Sequence, residues 1–149
     1  MTPADDATPT LLSQKPSWLI SQISARAHRV LTDRLAAAGA RGYHFRLLAA
    51  LEEFGPATQA SLGRRTEMDR SDVVAAINEL AARKLAERAT DQNDRRRNVI
   101  TITAEGRAHL RRLDALLADA QDELLAPLSP GERQAFVGML TRLLDYHVG

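Results

Sequence analysis

Cysteine is absent from the 149 residues, which removes a disulfide framework, a thiol redox switch and any cysteine-ligated metal from consideration. Long apolar runs are absent too, and no stretch approaches the roughly 18–20 residues that a membrane span needs. No basic segment followed by an apolar one marks a secretory signal, so a cytoplasmic protein without membrane attachment is expected. Net charge is only +1. That excludes a histone-like polycation, and any affinity for nucleic acid must come from local asymmetry. There is no glycine-rich phosphate loop and no recognisable nucleophile–base arrangement, so an enzyme is not expected. His28, His44 and His109 stand among scattered carboxylates with no two histidines at i, i+4, and neither a metal nor a cofactor is expected.

What is present begins with Asp94-Arg95-Arg96-Arg97, followed by Asn98-Val99-Ile100-Thr101-Ile102-Thr103. In a strand, Val99, Thr101 and Thr103 face one way and Ile100 and Ile102 the other. Arg88-Ala89-Thr90 supplies a preceding strand, and Asp91-Gln92-Asn93-Asp94 are polar turn residues. The product is a small β-hairpin with three adjacent guanidinium groups at its tip, a shape suited to a phosphate-lined groove. From Arg83 to Arg97 there are six basic and three acidic residues, a local excess that the whole-chain charge conceals.

A chain of this length is expected to form one domain with a substantial core. Residues 1–16 hold half of the six prolines and read as a disordered or partly ordered arm. Ser17 opens a helix with apolar residues at Ile20, Ile23, Ala27, Val30 or Leu31, and Leu35. A second helix runs from about Tyr43 to Phe54. Thr58 caps a third, Gln59 to about Thr66. Asp69 is read as the cap of a fourth, with Asp72 completing a capping box. Val73, Ala76, Ile77 and Leu80 form its buried stripe, leaving Arg70, Ser71, Asp72, Val74, Ala75 and Asn78 outward in a helix-turn-helix arrangement. After the hairpin, Thr103 caps a long helix seamed by Leu110, Leu113, Leu117, Ala120 and Leu124. Ser129-Pro130-Gly131-Glu132 opens the last helix, with Phe136, Met139, Leu140, Leu143, Leu144 and Tyr146. The expected fold is mainly α with a β-hairpin wing: residues 43–106 form the winged helix-turn-helix, and residues 17–42 and 107–149 are dimerisation helices whose surplus apolar stripe a homodimer would bury.

These motifs resemble the MarR family of winged-helix transcription regulators. The family's wing reads Asp-x-Arg, then about six residues, then Leu-Thr-x-x-Gly; here the match is Asp94, Arg96, Ile102 in place of leucine, Thr103 and Gly106. Gly39 followed by His44 to Leu51 resembles its second-helix entry, and Asn78-Glu79-Leu80 with Leu85-Ala86-Glu87-Arg88 its recognition-helix exit. The likeness spans about residues 17 to 146. Lys84 stands where the family commonly has glycine, and Asp72 where a small hydroxyl residue is common.

The resemblance implies that Arg96 enters the minor groove with Asp94 orienting it, where a narrow A·T-rich groove attracts arginine. Arg95 and Arg97 are candidate phosphate contacts. On the recognition helix, Arg70, Ser71, Val74 and Asn78 would face the major groove, Arg70 suiting guanine and Asn78 adenine. Asp72 either caps the helix or accepts from cytosine. Thr58, Gln59, Ser61, Arg64 and Arg65 suit phosphate positioning. The resemblance also implies a pocket for small aromatic carboxylates, with Trp18, His28, Tyr43, His44 and Arg46 as candidate lining residues. The function expected is a homodimeric regulator of a pseudo-palindromic duplex operator, a repressor released by a small ligand. A winged helix devoted to protein contacts is the alternative, and the three tip arginines argue against it.

Overall fold

The chain order of amphipathic helices and one hairpin builds a helical body with a small sheet at its side. The computed structural model describes residues 5–149. Its elements are α1 (Thr10–Ser13), α2 (Pro16–Ala36), α3 (Gly42–Phe54), β1 (Ala57–Thr58), α4 (Gln59–Thr66), α5 (Arg70–Ala82), β2 (Ala86–Thr90), β3 (Asn98–Ile102), α6 (Ala104–Leu124) and α7 (Pro130–Val148). Of the arm read as disordered or partly ordered, Met1 to Ala4 lie outside the described residues. Thr10–Ser13 form one helical turn, and α2 starts at Pro16, a residue earlier than expected.

The caps explain where three helices start. Thr58 Oγ1 accepts from the Ser61 amide at 3.2 Å, and Thr103 Oγ1 from the Gly106 amide at 2.9 Å. Ser129 and Glu132 exchange two such bonds, each satisfying an amide that has no partner inside the helix. The box expected at Asp69 and Asp72 does not form. Asp69 makes no cap bond and instead accepts from the Ser71 hydroxyl at 2.7 Å. Aspartate at the third position is a methylene shorter than the glutamate that normally reaches back.

The sheet has three strands rather than the hairpin's two, in the order β1-β3-β2, all antiparallel. β1 is two residues long, too short to show any period in the sequence. Register pairs Arg88 with Ile100 and Ala86 with Ile102. The alternation is as read: Ile100 and Ile102 are buried, while Val99 and Thr101 are half-buried. Ile100 packs in one core with Leu47, Leu48 and Leu51 of α3, Leu62 of α4, Val73, Ile77 and Leu80 of α5, and Leu113 of α6. That core binds the helix-turn-helix to the sheet, so the wing and α5 are held in a fixed relation.

Lys84 departs from the family pattern without changing the turn. Its φ of 60° is left-handed, the conformation glycine takes at little cost. The Lys84 amide donates to Ala81 O and the Leu85 amide to Leu80 O, the paired bonds of a Schellman ending. Two backbone bonds and the burial of Leu85 and Ala86 hold the lysine there.

α7 is different in kind. None of its residues is buried, and Val137, Met139, Leu140, Leu143, Leu144 and Tyr146 are all exposed. Leu11, Leu12, Leu19, Ile20 and Ile23 are exposed at the other end of the chain.

Candidate nucleic-acid interface

The tip arginines sit in the connection between β2 and β3, fixed by local hydrogen bonds rather than by packing. The Asp91 amide donates to Arg97 O, the Arg97 amide to Asp94 O, and the Asn93 amide to the Asp91 carboxylate. Asp94 Oδ1 accepts from both the backbone N–H and the Nε of Arg96, each at 3.1 Å. These two bonds, with the nearby charge of Arg97, outweigh a small desolvation effect and hold the Asp94 carboxyl below its usual range. Arg96 remains 91% exposed. As an isolated surface pair the contact contributes little stability. What it does is aim a guanidinium outward from a braced loop. Arg95 and Arg97 are exposed beside it.

On α5, Arg70, Ser71 and Asn78 are exposed, and Val74 and Asp72 are half-buried. Arg70, Ser71, Val74, Ala75 and Asn78, with Asp69, line one open groove. Three of these side chains have intramolecular partners: the Ser71 hydroxyl donates to Asp69, and Asn78 Oδ1 accepts from Arg88 of β2. The α4 candidates divide. Thr58, Gln59 and Ser61 are at its N-terminal end, half-buried, with the Thr58 oxygen used as the cap. Arg64 and Arg65 are in its last turn, where Arg65 lies over the Phe54 ring at 4.5 Å. Both arginines line a cleft with Phe45, Arg46, Glu53 and Phe54.

The residues read as a ligand pocket lie on α2 and α3, and of them Arg46 lines a cleft. Trp18 and His28 are on α2, half-buried and exposed respectively. Arg41 and Arg46 flank the Tyr43 ring, each 6.0 Å from its centroid. His44 has another role: it is buried, its Nδ1 accepts from the Arg41 amide at 3.2 Å, and its Nε2 lies 2.6 Å from Glu79. Accepting at Nδ1 requires the ring proton on Nε2, so His44 donates to Glu79 and has no nitrogen left for a ligand. Arg41 bonds the other Glu79 oxygen at 2.7 Å. Burial raises the Glu79 pKa, but the His44 hydrogen bond and the Arg41 charge prevail and hold the carboxyl below its usual range. This triad joins the start of α3 to α5, and the sequence reading missed it. Glu79 is 35 residues from His44 and 38 from Arg41, and no local pattern links it to them.

His109 on α6 is also buried, and its Nε2 has no hydrogen-bond partner among the described residues. Burial first, then the charges of Arg83 and Arg112, hold its pKa below the ordinary 6.5. As pH falls through 6.5 the unfolded chain takes up this proton before the folded one, so stability is lost on the acid side. Thermal midpoints of the wild type should therefore decline below about pH 6.5, and His109→Leu should flatten that decline. Parallel curves for the two proteins would assign the acid loss to other groups. Among the described residues no helix is long and apolar enough to cross a membrane, and no group of three or more potential ligands could hold a metal.

Comparison with known proteins places this geometry in a group. The model of the MarR family matches residues 39–97. The HTH-type transcriptional repressor NicR of Pseudomonas putida is 25% identical over 140 residues, covering 94% of this chain and 89% of NicR. A probable transcriptional regulator from Pseudomonas aeruginosa is 30% identical with a TM-score of 0.78, over 89% of this chain and 98% of that one. BpsR of Bordetella bronchiseptica, whose DNA binding is regulated by 6-hydroxynicotinic acid, is 25% identical with a TM-score of 0.78, over 93% and 99% of the two chains.

Proposed function

The chain belongs to the MarR family of winged-helix transcription regulators, and from that membership we propose that it is a homodimeric repressor that binds a pseudo-palindromic duplex operator and is released by a small aromatic carboxylate. The observation that carries the DNA reading is the braced, outward Arg96 on a wing that shares a rigid core with α5. Arginine at a wing tip gains from the negative potential of a narrow minor groove, while α5 lies in the adjacent major groove. Arg95 and Arg97 neutralise phosphates. Arg70 reads a base, and Thr58, Gln59 and Ser61 at the start of α4 fix the register on the backbone. In a two-fold dimer the half-site centres lie about one helical turn apart, roughly 34–36 Å.

The name of NicR supports repression, and BpsR supports an effector that is itself an aromatic carboxylate. Among the candidate pocket residues, Arg46 is the exposed cation that lines a cleft, and we assign carboxylate pairing to it. Effector binding would release DNA by favouring a dimer state in which the two α5 helices no longer match the groove spacing. Repression further requires that the operator overlap a promoter.

Arg96→Ala tests the carrying observation. Specific binding should weaken by about tenfold or more. The thermal midpoint should move by no more than roughly a degree or two, because the side chain packs on nothing. Unchanged affinity in the variant would end the minor-groove assignment.

A further inference from the structure

Asn78 and Arg88 are joined across the corner between α5 and the wing, Arg88 Nη2 donating to Asn78 Oδ1. A guanidinium has donors only, so the amide must turn its carbonyl oxygen to Arg88. The orientation of this amide therefore follows from chemistry, and its Nδ2 faces away from the arginine. Register explains the reach: Arg88 is paired with Ile100, so its side chain leaves the sheet on the face that packs against the helices. Both residues are exposed, and Asn78 lines the open groove of α5 with Arg70, Ser71, Val74 and Ala75.

An asparagine that reads adenine needs both ends of its amide, the oxygen accepting from N6 and the nitrogen donating to N7. In this chain the oxygen is held by a charged donor, a bond of the stronger class. An adenine amino group approaching the same oxygen would bring its positive edge against the guanidinium. What remains at the corner is a surface of donors: Asn78 Nδ2 and the unused N–H groups of Arg88. Guanine presents two acceptors in the major groove, N7 and O6. We infer that Arg88 is a specificity-determining residue that locks Asn78 as a hydrogen-bond donor, so that the corner of α5 and the wing selects guanine where a free asparagine would select adenine. The inference rests on the reading of α5 as a DNA-contacting helix.

The test is selection of bound duplexes from a randomised pool by the full chain, by Asn78→Ala and by Arg88→Met. Asn78→Ala should lose its preference at one position in each half-site, which identifies the base facing that side chain. The wild type should select guanine at that position. Arg88→Met frees the amide oxygen and should shift the preference toward adenine, by about tenfold in relative affinity. Adenine in the wild-type consensus, guanine retained by Arg88→Met, or an Asn78→Ala consensus identical to the wild type would each overturn the inference while leaving DNA binding intact. A wild-type pool without any consensus would overturn the DNA reading and this inference together.

Discussion

Replacing Leu140 and Leu143 of α7 by aspartate is expected to abolish the proposed dimer and to reduce operator affinity by on the order of a hundredfold or more. The chain leaves the whole of α7 without a buried residue, and Leu143 and Leu144 are 50% and 62% exposed. A lone amphipathic helix of this length gains little from its own hydrogen bonds, and most helical stability comes from covering its apolar face. Soluble monomers rarely leave apolar patches of this extent open. A second copy, bringing its own α7 and its exposed Leu19, Ile20 and Ile23, would cover it. A two-fold contact uses each residue twice, so two substitutions place four carboxylates in an apolar interface. Each leucine contributes about 1.5–3 kcal/mol when fully buried, and an unpaired buried charge costs more than that. Losing the dimer also makes the two half-sites independent, which removes the gain from linked binding. The core of α3, α4, α5 and β3 contains no α7 residue, so the variant should retain a cooperative thermal transition. Light scattering and fluorescence anisotropy read the two effects. A wild-type monomer, or a variant that remains dimeric, would remove the two-fold operator from the account.

Gly106→Ala should lower the thermal midpoint by on the order of 5–10 °C, through a mechanism local to the wing's root. A Cβ at this position would lie 2.0 Å from Leu85 O and 2.9 Å from Ile102 Cγ1. The nearer atom is backbone, and no rotamer change relieves it. Nor can Leu85 withdraw freely. Its carbonyl accepts from the Thr103 amide at 3.2 Å, and the Thr103 hydroxyl donates to Lys84 O at 2.8 Å. The start of α6 is thus drawn against the turn that leaves α5, and only a residue without a side chain fits between them. Gly131→Ala, at a position with open space around it, is the control and should leave the midpoint unchanged or slightly raised. Equal stability of Gly106→Ala and the wild type would mean that the helix start is not clamped as described. The glycine that closes the wing motif is therefore a packing requirement of this fold.

Local chemistry was legible in the sequence at three helix starts, though not at Asp69, whose carboxylate accepts from the Ser71 hydroxyl instead. Thr58, Thr103 and Ser129 start their helices because each has an acceptor oxygen at the right offset. The alternation of Ile100 and Ile102 against Val99 and Thr101 set the buried face of β3. The first apolar stripe was legible as a stripe, yet Ile20 and Ile23 lie exposed because none of the described residues covers them. Features that depend on distant residues were not legible. His44 looked like a free imidazole near a pocket until Glu79 and the Arg41 amide occupied both its nitrogens. Asn78 looked like an unengaged reader of bases until the register of β2 brought Arg88 to it. Lys84 marked a departure from the family pattern, and only the backbone shows that it takes the glycine conformation regardless.

The most direct measurement is an anisotropy titration of the full chain against the duplex it selects from a random pool, beside a scrambled duplex, at two salt concentrations. Two chains should bind each selected duplex, with affinity on the order of a thousandfold above the scrambled control. Binding to both duplexes should weaken steeply as salt rises, as expected when several arginines displace counterions from phosphate. Equal affinity for the two duplexes, or one chain per duplex at saturation, would contradict a two-fold, sequence-specific regulator.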